Sequence, residues 1–126
     1  MKLMAIDYGA KRVGIASTDE SGKFALPRAV FPNDVGLLDK VLEFKAKENI
    51  EKIIIGESRN FSGAPNKILV EAEKFKLRLE EKGIEVIFHP EVLTTMEARR
   101  VQGQTELTDA SAAALILKNY IDTVYN

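Results

Sequence analysis

The hydrophobic pattern of the chain changes period several times, and each change predicts an element. Lys2 to Ile6 is a short apolar run; after Tyr8-Gly9-Ala10-Lys11, the residues Val13, Ile15 and Ser17 alternate with Arg12, Gly14 and Ala16. A run and an alternation separated by a glycine-bearing turn predict two strands. Asp19-Glu20-Ser21-Gly22 predicts a hairpin turn into a third strand, Lys23 to Phe31. Pro27 suits a sheet edge there, because proline has no N–H to give a ladder. After Pro32 the spacing lengthens to three and four residues through Val35, Leu38, Val41 or Leu42, and Lys45-Ala46, which predicts an amphipathic helix ending near Asn49.

Lys52 to Gly56 is an uninterrupted isoleucine run, as expected of a strand buried on both faces of a parallel sheet. Glu57 to Asn66 is polar, holds Gly63 and Pro65, and predicts a loop. A long amphipathic helix follows, with Ile68, Ala72, Phe75 and Leu79 as its inner stripe and Gly83 as its C-terminal stop signal. Ile84 to Phe88 predicts another buried strand. Thr94-x-x-Glu97 has the form of a capping box for a short helix, and Thr108 is placed to cap a last helix running to about Val124.

This order predicts an α/β fold with one five-stranded mixed sheet. The first three strands are antiparallel, and right-handed crossovers put the last two parallel to the first on its far side, in the order 3-2-1-4-5, with helices flanking the sheet. The 126 residues, 45% of them hydrophobic, suit a single domain spanning residues 1–126. The chain has no cysteine, so disulfides, thiolate metal sites and a cysteine nucleophile are excluded, and its single histidine makes a zinc centre a poor fit. No apolar run reaches transmembrane length and the N-terminal run is too short for a signal core, so a cytoplasmic protein with no membrane partner is expected. A formal charge of −1 leaves any polyanionic partner to be met by a local patch.

Ligands of such sheets favour the carboxyl ends of the parallel strands, and the acids gather at that edge. Asp7 ends the first strand, Glu57 follows Gly56 at the end of the fourth, and Glu91 lies just beyond the fifth. Asp109 falls in line with Ala112, Ala113 and Ile116 on the last helix, so it shares the small apolar stripe that faces the sheet. Carboxylates brought together in a partly buried cleft are costly unless a cation neutralises them. Mg²⁺, or Mn²⁺ in its place, suits a site of carboxylates, water and phosphate oxygens, and a pair of such ions about 4 Å apart supports phosphodiester cleavage. Each acid also has a plainer reading. Asp109 would complement a helix dipole by about 0.3–1 kcal/mol, Glu91 would be a solvated loop acid, and Glu57 would pair with Arg59.

The stretch Ala5-Ile6-Asp7-Tyr8-Gly9-Ala10-Lys11-Arg12-Val13-Gly14-Ile15-Ala16 resembles the opening signature of the YqgF (RuvX-like) family, whose names refer to Holliday junction resolution and to maturation of the 5′ end of precursor 16S ribosomal RNA. Glu91 to Ala98 and Asp109 to Asp122 resemble two further family blocks, while Ile53 to Gly56 with Asn60 and Gly63 resembles its fourth strand and loop. The resemblance implies an RNase H-like fold, a metal-dependent nuclease activity on structured nucleic acid, and the catalytic triad Asp7, Glu91 and Asp109. A glutamate at the end of the fourth strand in related resolvases implies Glu57 as a further metal ligand. The bases near this edge, Lys11, Arg12, Arg59 and Arg99, together with Asn60, are the candidate nucleic-acid contacts.

The chain departs from the family pattern where Pro90-Glu91-Val92 replaces the usual Asp-Glu-Arg, where Glu57-Ser58 replaces Leu-Pro, and where Ser62 replaces an aspartate in a shorter loop. The segment from Val101 to Thr108 lacks the basic insert common in the family. These departures keep a second reading open, a catalytically degenerate RNase H-like protein that binds nucleic acid or a processing partner. A third, nucleotide-dependent phosphoryl transfer, shares the Asp7-Tyr8-Gly9 opening but needs two such domains where this chain offers one. The substrate is precursor rRNA or branched DNA, and the working form a monomer or a weak homodimer. Tyr8 is a candidate base-stacking ring and His89 a candidate proton shuttle, each with a packing role as its alternative.

Overall fold

The structure is a computed structural model that describes residues 1–57, 67–90 and 106–125; the side chains of Glu57, Pro90, residues 106–109 and Tyr125 are outside that description. Of the loop expected over Glu57 to Asn66, Glu57 belongs to a strand and 58–66 lie outside the described residues, as do the short helix from Thr94 and the link before the last helix, with Arg59, Asn60, Glu91 and Arg99.

Five strands form one sheet: β1 (Leu3–Tyr8), β2 (Arg12–Thr18), β3 (Ala25–Pro32), β4 (Lys52–Glu57) and β5 (Glu85–Pro90), in the order β3-β2-β1-β4-β5. The pairs β1–β2 and β2–β3 are antiparallel, and β1–β4 and β4–β5 are parallel, as the pattern predicts. Helices α1 (Leu37–Glu48) and α2 (Lys67–Glu81) join the strands β3 to β4 and β4 to β5, and α3 (Glu106–Tyr125) follows.

Two cores explain why the central strands are apolar on both sides. On one face Met4, Ile6, Ile53 and Ile55 pack with Leu37 and Val41 of α1 and with Ala72, Phe75 and Leu79 of α2. On the other, Leu3, Ala5, Ala16 and Ile54 pack with Ala113, Ile116, Leu117 and Ile121 of α3. Each fully buried isoleucine contributes about 1.5–3 kcal/mol, so the isoleucine run of β4 serves both layers at once.

Both connecting helices end alike. Asn49 (φ 55°) and Gly83 (φ 82°) adopt left-handed conformations. The N–H groups of Ile50 and Ile84 return to the carbonyls of Lys45 and Leu79, closing the Schellman arrangement.

Some expected boundaries move. β1 continues through Asp7 to Tyr8, so the acid lies one residue inside the strand rather than at its end. Val35 is fully exposed, and α1 buries Leu37 and Val41 instead, one turn apart. In α2 the stripe is Leu69, Ala72, Phe75 and Leu79, with Ile68 only half-buried. β5 is an edge strand whose side chains are mostly half-buried, because it has a partner on one side alone. α3 is already running at Glu106, so Thr108 lies within it rather than capping it.

The opposite edge, β3, is blunted against stray pairing. Pro27 and Pro32 each remove a donor, and the register slips between Ile15 and Ala16 so that Arg28 is an extra residue. Its guanidinium donates to Ser17 Oγ at 3.0 Å and to Glu48 Oε1 at 3.0 Å, and lies 5.4 Å from the Phe44 ring centre. That hydrogen bond holds the Glu48 carboxyl below the usual carboxylate range. No described helix is long and apolar enough to cross a membrane.

Candidate active site

Asp7 is a buried acid, 4% exposed, in the central strand; among the described residues the other buried polar side chains are the neutral hydroxyls of Ser17 and Thr18 on β2. It alternates with Leu3 and Ala5 and so belongs to the face covered by α3. Across β2 it pairs with Gly14, and because Ile6 pairs with Ile55, the next position along β4 sets Gly56 beside it. Gly56 pairs in turn with His89. The row across the sheet therefore reads Gly14, Asp7, Gly56, His89, with a residue lacking Cβ on each side of the carboxylate. Within its row, no neighbouring strand places a side chain directly beside Asp7. The sequence reading overlooked Gly14 in this role, although a glycine inside a strand is the signal for close approach.

Glu57 closes β4 at the same carboxyl end as Asp7, paired with Pro90 one register step beyond Gly56 and His89, which is the alternate position of the strand, in line with Ile53 and Ile55. Asp109 lies in the first turn of α3, four residues before Ala113, which packs into the core behind Asp7. Glu91 follows Pro90, the last residue of β5, and is outside the described residues. Among the described residues no three histidine, aspartate or glutamate side chains form a metal cluster. The donors described in full are Asp7 and, two strands away, His89.

His89 is half-buried, and desolvation lowers its pKa, favouring the neutral imidazole. Its ring meets Tyr120 of α3 edge-on with centres 5.9 Å apart, a packing contact that ties β5 to the helix. Tyr8 packs its ring 5.5 Å from Phe75 of α2, against the opposite core, and so fills its packing role.

The turn that follows Asp7 carries Lys11, exposed, and Arg12, half-buried. It is tight: a Cβ on Gly9 would lie 2.5 Å from the Arg12 carbonyl oxygen, so only glycine fits. Asn33, just past β3, holds the turn at both ends. Its Nδ2 donates to the Gly9 carbonyl at 2.7 Å and its backbone N–H to the Lys11 carbonyl at 2.9 Å. No sequence signal marked Asn33, because its partners lie 24 and 22 positions away. Replacing Asn33 by alanine removes the side-chain bond, a loss of about 0.5–1.5 kcal/mol. Nucleic-acid affinity is expected to fall by about 2- to 12-fold as the basic turn loosens, measured by fluorescence anisotropy. Unchanged affinity in a folded variant would free the turn from this role.

The sheet order, the buried acid in the central strand and the helix over its face define an RNase H-like nuclease scaffold. Solved structures share it. The chain superposes on RuvC of Thermus thermophilus in complex with Holliday junction substrate with a TM-score of 0.65, at 17% identity, over 100% of this chain and 97% of that one. It superposes on the fowlpox virus Holliday junction resolvase with a TM-score of 0.60, at 14% identity, over 98% and 99% of the two chains. At the level of sequence, the chain belongs to the RuvX family, described as Holliday junction resolvase, whose family model matches residues 1–123. A curated relative from Syntrophus aciditrophicus, named "Putative pre-16S rRNA nuclease", is 33% identical over 98% of this chain and 90% of its own length. A relative of the same name from Pseudomonas syringae pv. tomato is 33% identical over 95% of this chain and 90% of its own.

Proposed function

We propose that residues 1–126 form a single RNase H-like domain that hydrolyses phosphodiester bonds of structured nucleic acid with a divalent metal ion. The observation that carries this reading is Asp7, a carboxylate 4% exposed in the central strand with a glycine beside it on each neighbouring strand. Such a carboxylate suits an oxygen-ligated cation, Mg²⁺, or Mn²⁺ in its place. Asp7, Glu91 and Asp109 would hold it, with Glu57 as a fourth ligand at the same edge. When bound, the metal supplies a water acidified for attack and a Lewis acid beside the scissile phosphate.

The chain does the rest. Asp7 fixes the position of the site, because the backbone of β1 is paired on both sides. Lys11 and Arg12, on the turn clamped by Asn33, hold phosphates without reading bases; Arg59, Asn60 and Arg99 complete the contacts. The names of the curated relatives favour the 5′ region of precursor 16S rRNA as substrate, with branched DNA as the alternative. The protein acts in the cytoplasm, as a monomer or a weak homodimer.

Magnesium and manganese titrations with both substrates test this reading. Metal-dependent cleavage of one of them is expected, and Glu57→Gln is expected to raise the metal concentration needed at half-maximal rate. An unchanged requirement removes Glu57 from the ligands. Pro90 and Val92, in place of the family's acid and base, favour a second reading, a protein that binds such substrates without cutting them. Binding with no cleavage at any metal concentration would establish it.

A further inference from the structure

The face of the sheet opposite α3 carries a groove of about 490 Å³ between β3 and α1. Ala29 to Pro32 form one wall, and Lys40, Glu43, Phe44 and Lys47 the other, so two lysines outweigh one acid along it. Its volume is within the ~300–1,000 Å³ of ordinary ligand sites. We infer that this groove is a track for an unpaired nucleic-acid strand leading away from the active site, an inference that rests on the proposed nuclease function.

The groove is continuous with the basic turn. Pro32 at its upper end pairs with Arg12, and the next residue, Asn33, bonds the Lys11 carbonyl. A strand passing over Lys11 and Arg12 is thereby delivered to the mouth of the groove. Its cations are also available. On α2 and α3, Lys74, Lys76 and Lys118 are bound to Glu71, Glu80 and Asp122 at 3.7, 2.9 and 3.2 Å. Lys40 and Lys47 make no ion pair among the described residues, although Glu43 lies between them on the helix. Arg28 is fixed on Ser17 and Glu48, so the two lysines rather than this arginine face the groove as mobile charges.

Lys40, Phe44 and Lys47 recur at four and three residues and share one helix face. The two ammonium stems leave α1 about 10 Å apart along its axis, about three nucleotides at the 3.4 Å axial rise of a stacked strand. Phe31 and Phe44, both half-buried, give the two walls aromatic surface for bases of any sequence, with the Arg28 guanidinium against the Phe44 ring; such surface is a feature of single-strand sites rather than of duplex binders. The companion groove between β3 and α3 offers less of this character, since Lys118 is tied to Asp122 and only Lys23 is left as an unpaired cation among its described lining residues.

The test compares the whole chain with the double variant Lys40→Gln/Lys47→Gln, both at exposed positions, by anisotropy of a labelled single-stranded RNA and a blunt duplex over a salt series. For the single strand, the slope of log affinity against log salt is expected to fall by about 1.4, since each lost phosphate contact is worth about 0.7. The duplex slope should not move, and Lys118→Gln should alter neither. A single-strand slope unchanged in the double variant overturns the track while leaving the nuclease reading intact. Wild-type protein that binds no nucleic acid overturns both. Hydrogen-exchange protection of residues 29–32 that rises with protein concentration instead of oligonucleotide would give the groove to a second copy of the chain, and would also overturn it.

Discussion

Asp7→Asn is expected to lower metal-dependent cleavage by about 10²–10³ while leaving the protein folded. The substitution keeps the shape of the side chain and removes its charge. A metal-centred contribution to transition-state stabilisation amounts to several kcal/mol, and each 1.36 kcal/mol is a factor of ten in rate. The effect on stability should show in the response to metal. Added magnesium should raise the wild-type midpoint and leave the variant unmoved, because a ligand stabilises only the state that binds it. Single-turnover cleavage and thermal melts with and without magnesium measure both halves. A variant that retained cleavage within tenfold of wild type would remove Asp7 from the chemistry, and the proposed function with it.

The sheet order was legible because the sequence changes period at each element. A short apolar run, an alternating segment and a third strand joined by tight turns pair as a meander, and the isoleucine run from Ile53 to Ile55 demands a cover on both faces, as a central parallel strand has. What stayed hidden are the features set by neighbours in space. Ile84 to Phe88 reads as a buried strand by composition, but β5 lies at the edge, and composition does not count a strand's partners. Val35 continues the helical spacing of α1, yet the helix starts later, after an Asp34 turn whose Oδ1 accepts from the Gly36 N–H.

The active-site reading divides in the same way. Asp7 was legible because an acid in an apolar strand is anomalous wherever it occurs. The placing of Gly14 and Gly56 beside Asp7 depends on register across three strands, and the Asn33 clamp on a contact 24 residues away, so neither follows from local pattern. Glu91, Arg59, Asn60 and Arg99 lie outside the described residues, and their roles rest on the family pattern.

Enlarging Ala113 to leucine is expected to cost activity through the spacing of α3 from the sheet. Ala5 and Ala16 are paired across β1 and β2, and with Ala113 they form a patch of small, fully buried residues where the helix comes close. A leucine there has no empty volume to enter. Overpacking of this kind costs about 1–3 kcal/mol, equivalent to a fall in Tm of about 4–11 °C for a chain of this size. The strain is relieved most readily by moving the helix outward, since the sheet is held by pairing on both sides of β1. Asp109, one turn earlier on the same stripe, moves with it. A displacement of about 1 Å in a catalytic group costs up to about 10² in rate, so cleavage measured well below the new melting temperature should fall steeply while nucleic-acid affinity changes little. Leu77→Ala, at an exposed position on α2, should affect neither. If Ala113→Leu lowered Tm as expected but cleaved at the wild-type rate, the place of Asp109 would not depend on the approach of α3 to the sheet. The small residues would then serve packing alone.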